Sequence, residues 1–398
     1  MNERRYYDDE LAKIVARLVP PGLKVLEIGP VEGSAEELPI SDRYDSVVLA
    51  GPIGSRPDIW RTFRQLRKIS HPDTTVVITH HNGLWNPRPS RNRLSRRDIV
   101  RFLELADLEV ARHGAHLLLP FRVPLLSWLL NRCLAPLPGL RRLCLLEYIV
   151  ARPRQPAQEY SVSVIVACRN EVENIDPLLE RLPAMGTRTE IIFVDGLSSD
   201  GTVARIEAAI ERYRGRKTIR LLHQGEPTGK ADAVHIGFRE ARGDILMILD
   251  ADITVQPEDL TKFYLALAEG RGQFIYGSRL AYPMEKGAMR FLNLVGNKLF
   301  AVLLGWIIGQ PVRDGLCGTR AFFRRHYAGI MSIRDKVGAI DPFGDFELLF
   351  GAWDRSLRIV ELPVRYGRRT YGVTKISRFR QGFQLLKMCW TVCRKLKF

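Results

Sequence analysis

The chain has 398 residues, of which 46% are hydrophobic and 26% charged. That balance excludes a disordered chain, and the length exceeds what one hydrophobic core usually serves, so two domains are expected. Lys and Arg number 60 against 44 Asp and Glu, a formal charge of +16 with a pI near 9.8, which calls for an anionic partner: nucleic acid, anionic lipid or a phosphorylated substrate.

No apolar segment suited to a secretory signal follows Met1 to Arg5. Cys133, Cys144, Cys168, Cys317, Cys389 and Cys393 show no C-x-x-C spacing, and most sit in apolar runs, so a reduced, cytosolic chain is expected. Lys24 to Gly29 (K-V-L-E-I-G), Ser46 to Ala50 (S-V-V-L-A) and Thr74 to Thr79 (T-T-V-V-I-T) are predicted to be buried parallel strands. Asp58 to Lys68 and Arg97 to Leu108 carry helical patterns, making residues 1–150 a small α/β domain. His80 and His81 have no Cys or carboxylate at ligand spacing and read as solvated loop residues. The apolar runs Leu117 to Leu130 and Leu299 to Gly309 fall short of the roughly 20 residues of a spanning helix; each is expected to be a buried helix or a membrane-surface element. Ala151 to Tyr160 (A-R-P-R-Q-P-A-Q-E-Y), with two prolines and no apolar periodicity, reads as a linker.

In residues 161–375, strands are predicted at Ser161 to Ala167, Glu190 to Val194, Thr218 to His223 and Asp244 to Leu249. Helices are predicted at Asp176 to Leu182, Thr202 to Tyr213 and Ala231 to Ala241. This alternation implies a doubly wound, mostly parallel sheet whose ligand lies at the carboxyl ends of the strands. The polar clusters fall at those ends: Arg169-Asn170-Glu171 after the first strand, Asp195 after the second and Asp250-Ala251-Asp252 after the fourth. Two hard carboxylates suit Mg2+ or Mn2+ held jointly with a diphosphate; the alternative is a turn with helix-capping aspartates. Lys230, opening a helix, and Arg279, after the strand-like run Gln273 to Tyr276, place cations where phosphate could sit, or are a solvated lysine and a structural ion pair.

The runs S-V-I-V-A-C-R-N-E, F-V-D-G-L-S-S-D-G-T, G-D-I-L-M-I-L-D-A-D and Y-G-S-R resemble, in order and spacing, the motifs of family 2 glycosyltransferases with the GT-A nucleotide-diphospho-sugar transferase fold, of the dolichol-phosphate mannose synthase-like type. The later runs Val312 to Arg320, Asp341 to Glu347 and Arg369 to Lys375 are similar to further blocks of that family. The resemblance implies a donor site around Ala167, Arg169, Glu171, Asp195, Lys230, Asp250, Ala251 and Arg279, with Glu171 and Asp195 on the nucleoside of a UDP- or GDP-sugar. It further implies Asp250 and Asp252 on the metal, Arg279 on phosphate, and Arg369 and Lys375 on the far side. The chain departs from the pattern at Ala167-Cys168, at Gly196 in place of a second acidic residue, and at Thr254, where a third metal ligand can stand.

An inverting transfer to a lipid phosphate needs no base, whereas a saccharide hydroxyl does; Asp345 is the candidate base, or else a helix-capping aspartate. Residues 376–398 carry Ile376, Phe379, Phe383, Leu386 and Trp390 at helical spacing among Arg378, Arg380, Lys387, Arg394, Lys395 and Lys397. This predicts a basic amphipathic helix lying on an anionic membrane or packed on its own domain. The expected partners are therefore a nucleotide-sugar donor, a polyprenyl-phosphate or glycan acceptor and the cytoplasmic membrane face; self-association into a homo-oligomer stays open. Val25 to Gly29 resembles the first strand and loop of class I S-adenosylmethionine-dependent methyltransferases, but only Pro30 to Asp45 stand where two strand-and-helix units belong, implying a truncated Rossmann-like domain. A nucleic-acid reading meets dispersed basic residues and no binding motif, and a methyltransferase reading lacks its cofactor strands.

Overall fold

The computed structural model describes residues 2–397 except 21, 30–42, 52, 83, 86–91, 93, 138, 227–228, 283–290, 311, 339–343, 370 and 372–377. Chain contacts divide it into two units, Met1–Gln155 with Leu396–Phe398, and Pro156–Lys395.

The first unit holds strands β1 (Val25–Ile28), β2 (Tyr44–Leu49), β3 (Ser70–His81), β4 (Leu108–His116) and β5 (Leu146–Pro153) in the order β1-β2-β3-β5-β4. The first three are parallel, and β5 runs antiparallel to both of its neighbours. Helices α2 (Ile59–Ile69) and α3 (Arg96–Leu105) set Phe63, Leu66, Ile99 and Leu103 against one sheet face. Helix α1 (Asn2–Leu18) covers the other with Ile14 and Leu18. Ser95 and Asp98 form a reciprocal capping box at the start of α3.

Four readings of this region are corrected. Helix α1 and strands β4 and β5 carried no sequence expectation as elements. The helix expected to reach Leu108 ends at Leu105, because Asp107 turns the chain with φ 54° and Leu108 begins β4. Ala151 to Pro153 belong to β5, so the division falls after Gln155. His80 is a buried β3 residue whose Nε2 lies 2.9 Å from Glu147, and His81 meets the Tyr7 hydroxyl at 2.7 Å. Linear spacing hides Glu147 because it is paired across strands with His80.

The second unit contains a seven-stranded sheet ordered β12-β10-β11-β9-β6-β7-β8: β6 (Val162–Cys168), β7 (Thr189–Asp195), β8 (Thr218–His223), β9 (Ile245–Ile248), β10 (Phe274–Ser278), β11 (Arg320–Phe323) and β12 (Ile359–Pro363). Strands β9, β6, β7 and β8 are parallel, and β11 alone opposes its neighbours. Helices α4 (Ile175–Arg181), α5 (Thr202–Arg212), α6 (Lys230–Glu240) and α7 (Leu260–Ala268) follow strands in the expected alternation. Val164, Phe193, Ile206, Phe263 and Phe323 form the core. This is the doubly wound, mostly parallel architecture expected of the GT-A fold.

The unit further holds helices α8 (Phe291–Ile308), α9 (Asp345–Asp354) and α10 (Arg378–Val392), with two short helices, Tyr327–Met331 and Ile333–Val337, before α9. Helix α10 buries Leu385, Met388, Cys389 and Val392, so residues up to Lys395 belong to the transferase-like unit, while Phe383, Leu386 and Trp390 face outward. Ile376 lies outside the described residues, as does the side chain of Phe379. Among the described residues no helix is long and apolar enough to cross a membrane.

At the amino ends of β6, β7 and β9 the buried Glu190 accepts hydrogen bonds from the Ser163 hydroxyl and from the backbone N–H of Arg242 (2.6 Å) and Gly243 (3.3 Å). Burial pushes its carboxyl up, but these donors, with Arg220 beyond, hold it below the usual carboxylate range. Glu190→Ala orphans buried donors and should cost about 1–3 kcal/mol in urea unfolding. A carboxyl depressed in the folded state stabilises above its unfolded pKa and loses that contribution as pH falls through the folded value; the wild-type advantage over the variant should shrink on acidification. An advantage that is flat with pH would remove Glu190 from this role.

Candidate active site

Strands β9, β6 and β7 lie side by side and parallel, so the residues beyond their carboxyl ends converge. Asn170, in the left-handed region at φ 56°, accepts the Ser199 N–H (2.8 Å) and donates its own N–H to the Ser198 hydroxyl (2.9 Å). The loops after β6 and β7 are thereby zipped together. Glu171, buried, accepts from Asn174 Nδ2 at 2.6 Å. Asp195 is 2% exposed; its Oδ2 accepts the Ser198 N–H, and its Oδ1 has no hydrogen-bond partner among the described residues. A buried acceptor left open in this way suits a ligand donor.

The chain turns sharply after β9. Ile253, β-branched yet at φ 53°, sits in a region such residues rarely enter. The turn holds Asp250 and Asp252 at the strand end, with Asp252 Oδ1 accepting both the Thr254 hydroxyl (2.8 Å) and its N–H (3.1 Å). Thr254 therefore supports Asp252. The isolated bridge Val255 to Tyr366, together with Gly367 N–H to Thr254 O at 2.8 Å, brings the following chain over the turn. Arg369 consequently ion-pairs with Asp252 and stands 3.9 Å from Glu171.

Lys230, the first residue of α6, places Nζ 2.6 Å from Asp250 Oδ1. A Cβ on Gly318 would stand 2.7 Å from both Asp250 Oδ2 and Lys230 Nζ, so a side chain there would have to displace this pair. Burial pushes the Asp250 carboxyl up, yet Lys230, with Arg279 and Arg369 beyond, holds it below the usual carboxylate range. Burial lowers the Lys230 ammonium, but Asp250, Asp345 and Asp252 raise it above its ordinary value. Asp345, first residue of α9, differs: burial and the neighbouring Asp250 push it up against the pull of Lys230 and Arg320.

The remaining expected residues have the following surroundings. Arg279 is clamped by Asp314, with Nε to Oδ2 at 2.7 Å and Nη2 to Oδ1 at 2.8 Å, which is the ion-pair alternative to a phosphate contact. Arg169 is exposed, Ala167 half-buried within β6 and Ala251 packed in the core. Lys375 lies outside the described residues. At Gly196 a Cβ would stand 3.0 Å from Gln224 Oε1, a tight contact that a small shift of that side chain relieves.

Arg320 escaped individual notice in the sequence. It is fully buried on β11, its guanidinium nitrogens lack hydrogen-bond partners among the described residues, and Asp345 Oδ1 lies 3.6 Å away. Its signal was an arginine opening the apolar run R-A-F-F. Among the described residues no group of three or more His, Cys, Asp or Glu could hold a metal ion. Asp250 and Asp252 form instead a two-carboxylate set, whose hard oxygens fit a divalent cation that takes further ligands from water or phosphate.

Residues 163–329 match the family "Glycosyl transferase family 2". The chain is 38% identical over 229 residues to the dolichol-phosphate mannosyltransferase of Saccharomyces cerevisiae, covering 54% of this chain and 80% of that one. It is 26% identical over 250 residues to the enzyme of the same description from Pyrococcus furiosus, covering 60% and 67%. Over 220 residues it is 26% identical to the undecaprenyl-phosphate 4-deoxy-4-formamido-L-arabinose transferase of Proteus mirabilis, covering 54% and 63%. With four-fifths of the yeast relative spanned at that identity, and with the paired aspartates at the strand ends, the chain belongs to glycosyl transferase family 2.

Proposed function

We propose that the chain transfers a sugar from a nucleotide-diphosphate donor to a polyprenyl phosphate with inversion at the anomeric carbon. The observation that carries the donor half is the pairing of Asp250 with Lys230 and Asp252 with Arg369 beside the open acceptor of Asp195. Asp195 and Glu171 are suited to the donor groups of the nucleoside, and Asp250 and Asp252 to Mg2+ or Mn2+ shared with the diphosphate. Bound there, the ion would act as a Lewis acid for the leaving diphosphate. Lys230 and Arg369, each released from an aspartate by the incoming cation, are within reach to balance the charge that develops on the phosphates. The bond from the anomeric carbon to the diphosphate breaks, leaving its electron pair on the nucleotide, as the acceptor oxygen bonds from the opposite face.

An ionised phosphate acceptor has no proton to lose, so no base is needed. The names of the three relatives, two dolichol-phosphate and one undecaprenyl-phosphate transferase, support this acceptor class. So do the outward apolar residues Val295, Leu299 and Val302 of α8 and Phe383, Leu386 and Trp390 of α10, with exposed Lys387, Arg394 and Lys395 alongside; they suit peripheral seating on the cytoplasmic membrane face. A second reading, transfer to a saccharide hydroxyl, draws on Asp345, whose raised pKa suits a base. The first unit is read as a truncated methyltransferase-like domain without a cofactor role: among the described residues its sheet ends at β1, the edge where two further strands would add.

Four outcomes test the proposal. With UDP- and GDP-sugars and added Mg2+ or Mn2+, label should enter the organic phase only when polyprenyl phosphate is present. Asp252→Asn should cut turnover by roughly a hundredfold or more; intact turnover in that variant would refute the donor site. Asp195→Ala should weaken nucleoside diphosphate binding about tenfold or more in calorimetry. Asp345→Asn should keep lipid-phosphate transfer within about tenfold. A loss of about 10²–10⁴ with donor binding intact, and a wild-type rate that rises with pH through a raised pKa, would assign Asp345 as base and the acceptor as a hydroxyl.

A further inference from the structure

The loops that leave the carboxyl ends of β3 and β4 are built inside out. In the stretch after β4, Ser127 and Asn131 are buried, at 6% and 2% exposure, while Leu125 and Trp128 stand 85% and 55% exposed. The Ser127 hydroxyl accepts the Val123 N–H (2.6 Å) and donates to Phe121 O (2.7 Å). Asn131 accepts the Leu119 N–H (2.7 Å) and donates to Leu119 O (2.8 Å). The polar side chains thus satisfy the loop's own backbone, as a loop leaving water requires, and the leucines are left pointing outward.

The loop after β3 reaches the same sheet end. Trp85 Nε1 donates to Leu143 O at 2.6 Å, and Asn82 Nδ2 donates to Arg142 O at 2.7 Å. Leu84, Trp85 and Leu143 are exposed there as well. Between Asn82 and Arg97 the sequence holds five arginines, and between Leu117 and Leu145 four, with no Asp or Glu in either stretch. An exposed apolar surface of this kind marks a docking face. Leucines and tryptophans close in sequence to arginines such as Arg122, Arg141 and Arg142 match the headgroup boundary of an anionic bilayer, where the ring enters the interface and the cations meet lipid phosphate.

We propose that this end of the first unit inserts into an anionic lipid surface, so that the domain serves as a membrane-seating module. The proposal does not depend on the sugar-transfer reading, since it concerns residues outside the catalytic site and is read without donor or acceptor.

The test uses the full chain with vesicles of phosphatidylcholine alone and of phosphatidylcholine mixed with phosphatidylglycerol, read by sedimentation and by quenching of tryptophan emission with brominated lipid. The wild type should partition onto the anionic vesicles. L125D/W128Q, with unchanged circular dichroism, should lose about tenfold or more of that partitioning, and Arg141→Gln/Arg142→Gln a smaller part, lost also by the wild type at high salt. As a comparison, F383S/W390S in α10 should leave the quenching attributable to Trp128 in place. Unchanged partitioning of L125D/W128Q, or a wild-type oligomer in lipid-free solution that this variant dissociates, would overturn the proposal; the latter would assign the face to a second copy of the chain.

Discussion

Crowding of negative charge at the end of β9 is the constraint around which the second unit is arranged. Asp250, Asp252, Glu171 and Asp345 approach one another in a partly dehydrated pocket, where like charges repel strongly. Each is answered by a cation drawn from a distant part of the chain: Lys230 from the start of α6, Arg369 from the segment after β12, Arg320 from β11. The backbone concessions nearby serve this balance. Ile253 adopts an unfavourable φ in the turn that carries the aspartates, and Gly318, just before β11, leaves room for the Lys230–Asp250 pair.

The balance also explains why the cations matter twice. A site made only of carboxylates would strain the fold without ligand, whereas one permanently locked by salt bridges would refuse a metal-bound diphosphate. Lys230 is about one-third exposed and Arg369 slightly less, which leaves both able to move. Arg279 is different: its guanidinium is tied to Asp314, itself held by Asn297 and by the backbone N–H of Leu316. It acts as a fixed positive field, felt by Asp250. The first unit solves the opposite problem, satisfying polar groups within a loop and turning its leucines outward.

Much of this arrangement was legible in the chain. Apolar runs bounded by helical patterns located β6 to β9 and α4 to α6 to within a residue or two, because buried parallel strands and their covering helices carry strong periodic signals. The position of Glu171, Asp195 and Asp250 after those strands was readable for the same reason. Strands β4 and β5 were missed: L-E-V-A-R-H-G-A-H mixes polar and apolar positions, and the end of β5 shares its residues with a proline-bearing stretch. Glu147 could not be linked to His80, since cross-strand neighbours need not be close in sequence.

By itself, then, the sequence determined the doubly wound layout, the ends at which chemistry gathers and the family motifs, since local periodicity and order along the chain encode these. Only the tertiary structure decided which cation serves which carboxylate: Arg279 on Asp314, Arg369 on Asp252, and Arg320 near Asp345. It likewise decided which face of α10 is buried and that Leu125 and Trp128 point away from a core. Charge pairing and exposure depend on what is brought close across long chain separations, and no local pattern carries that information.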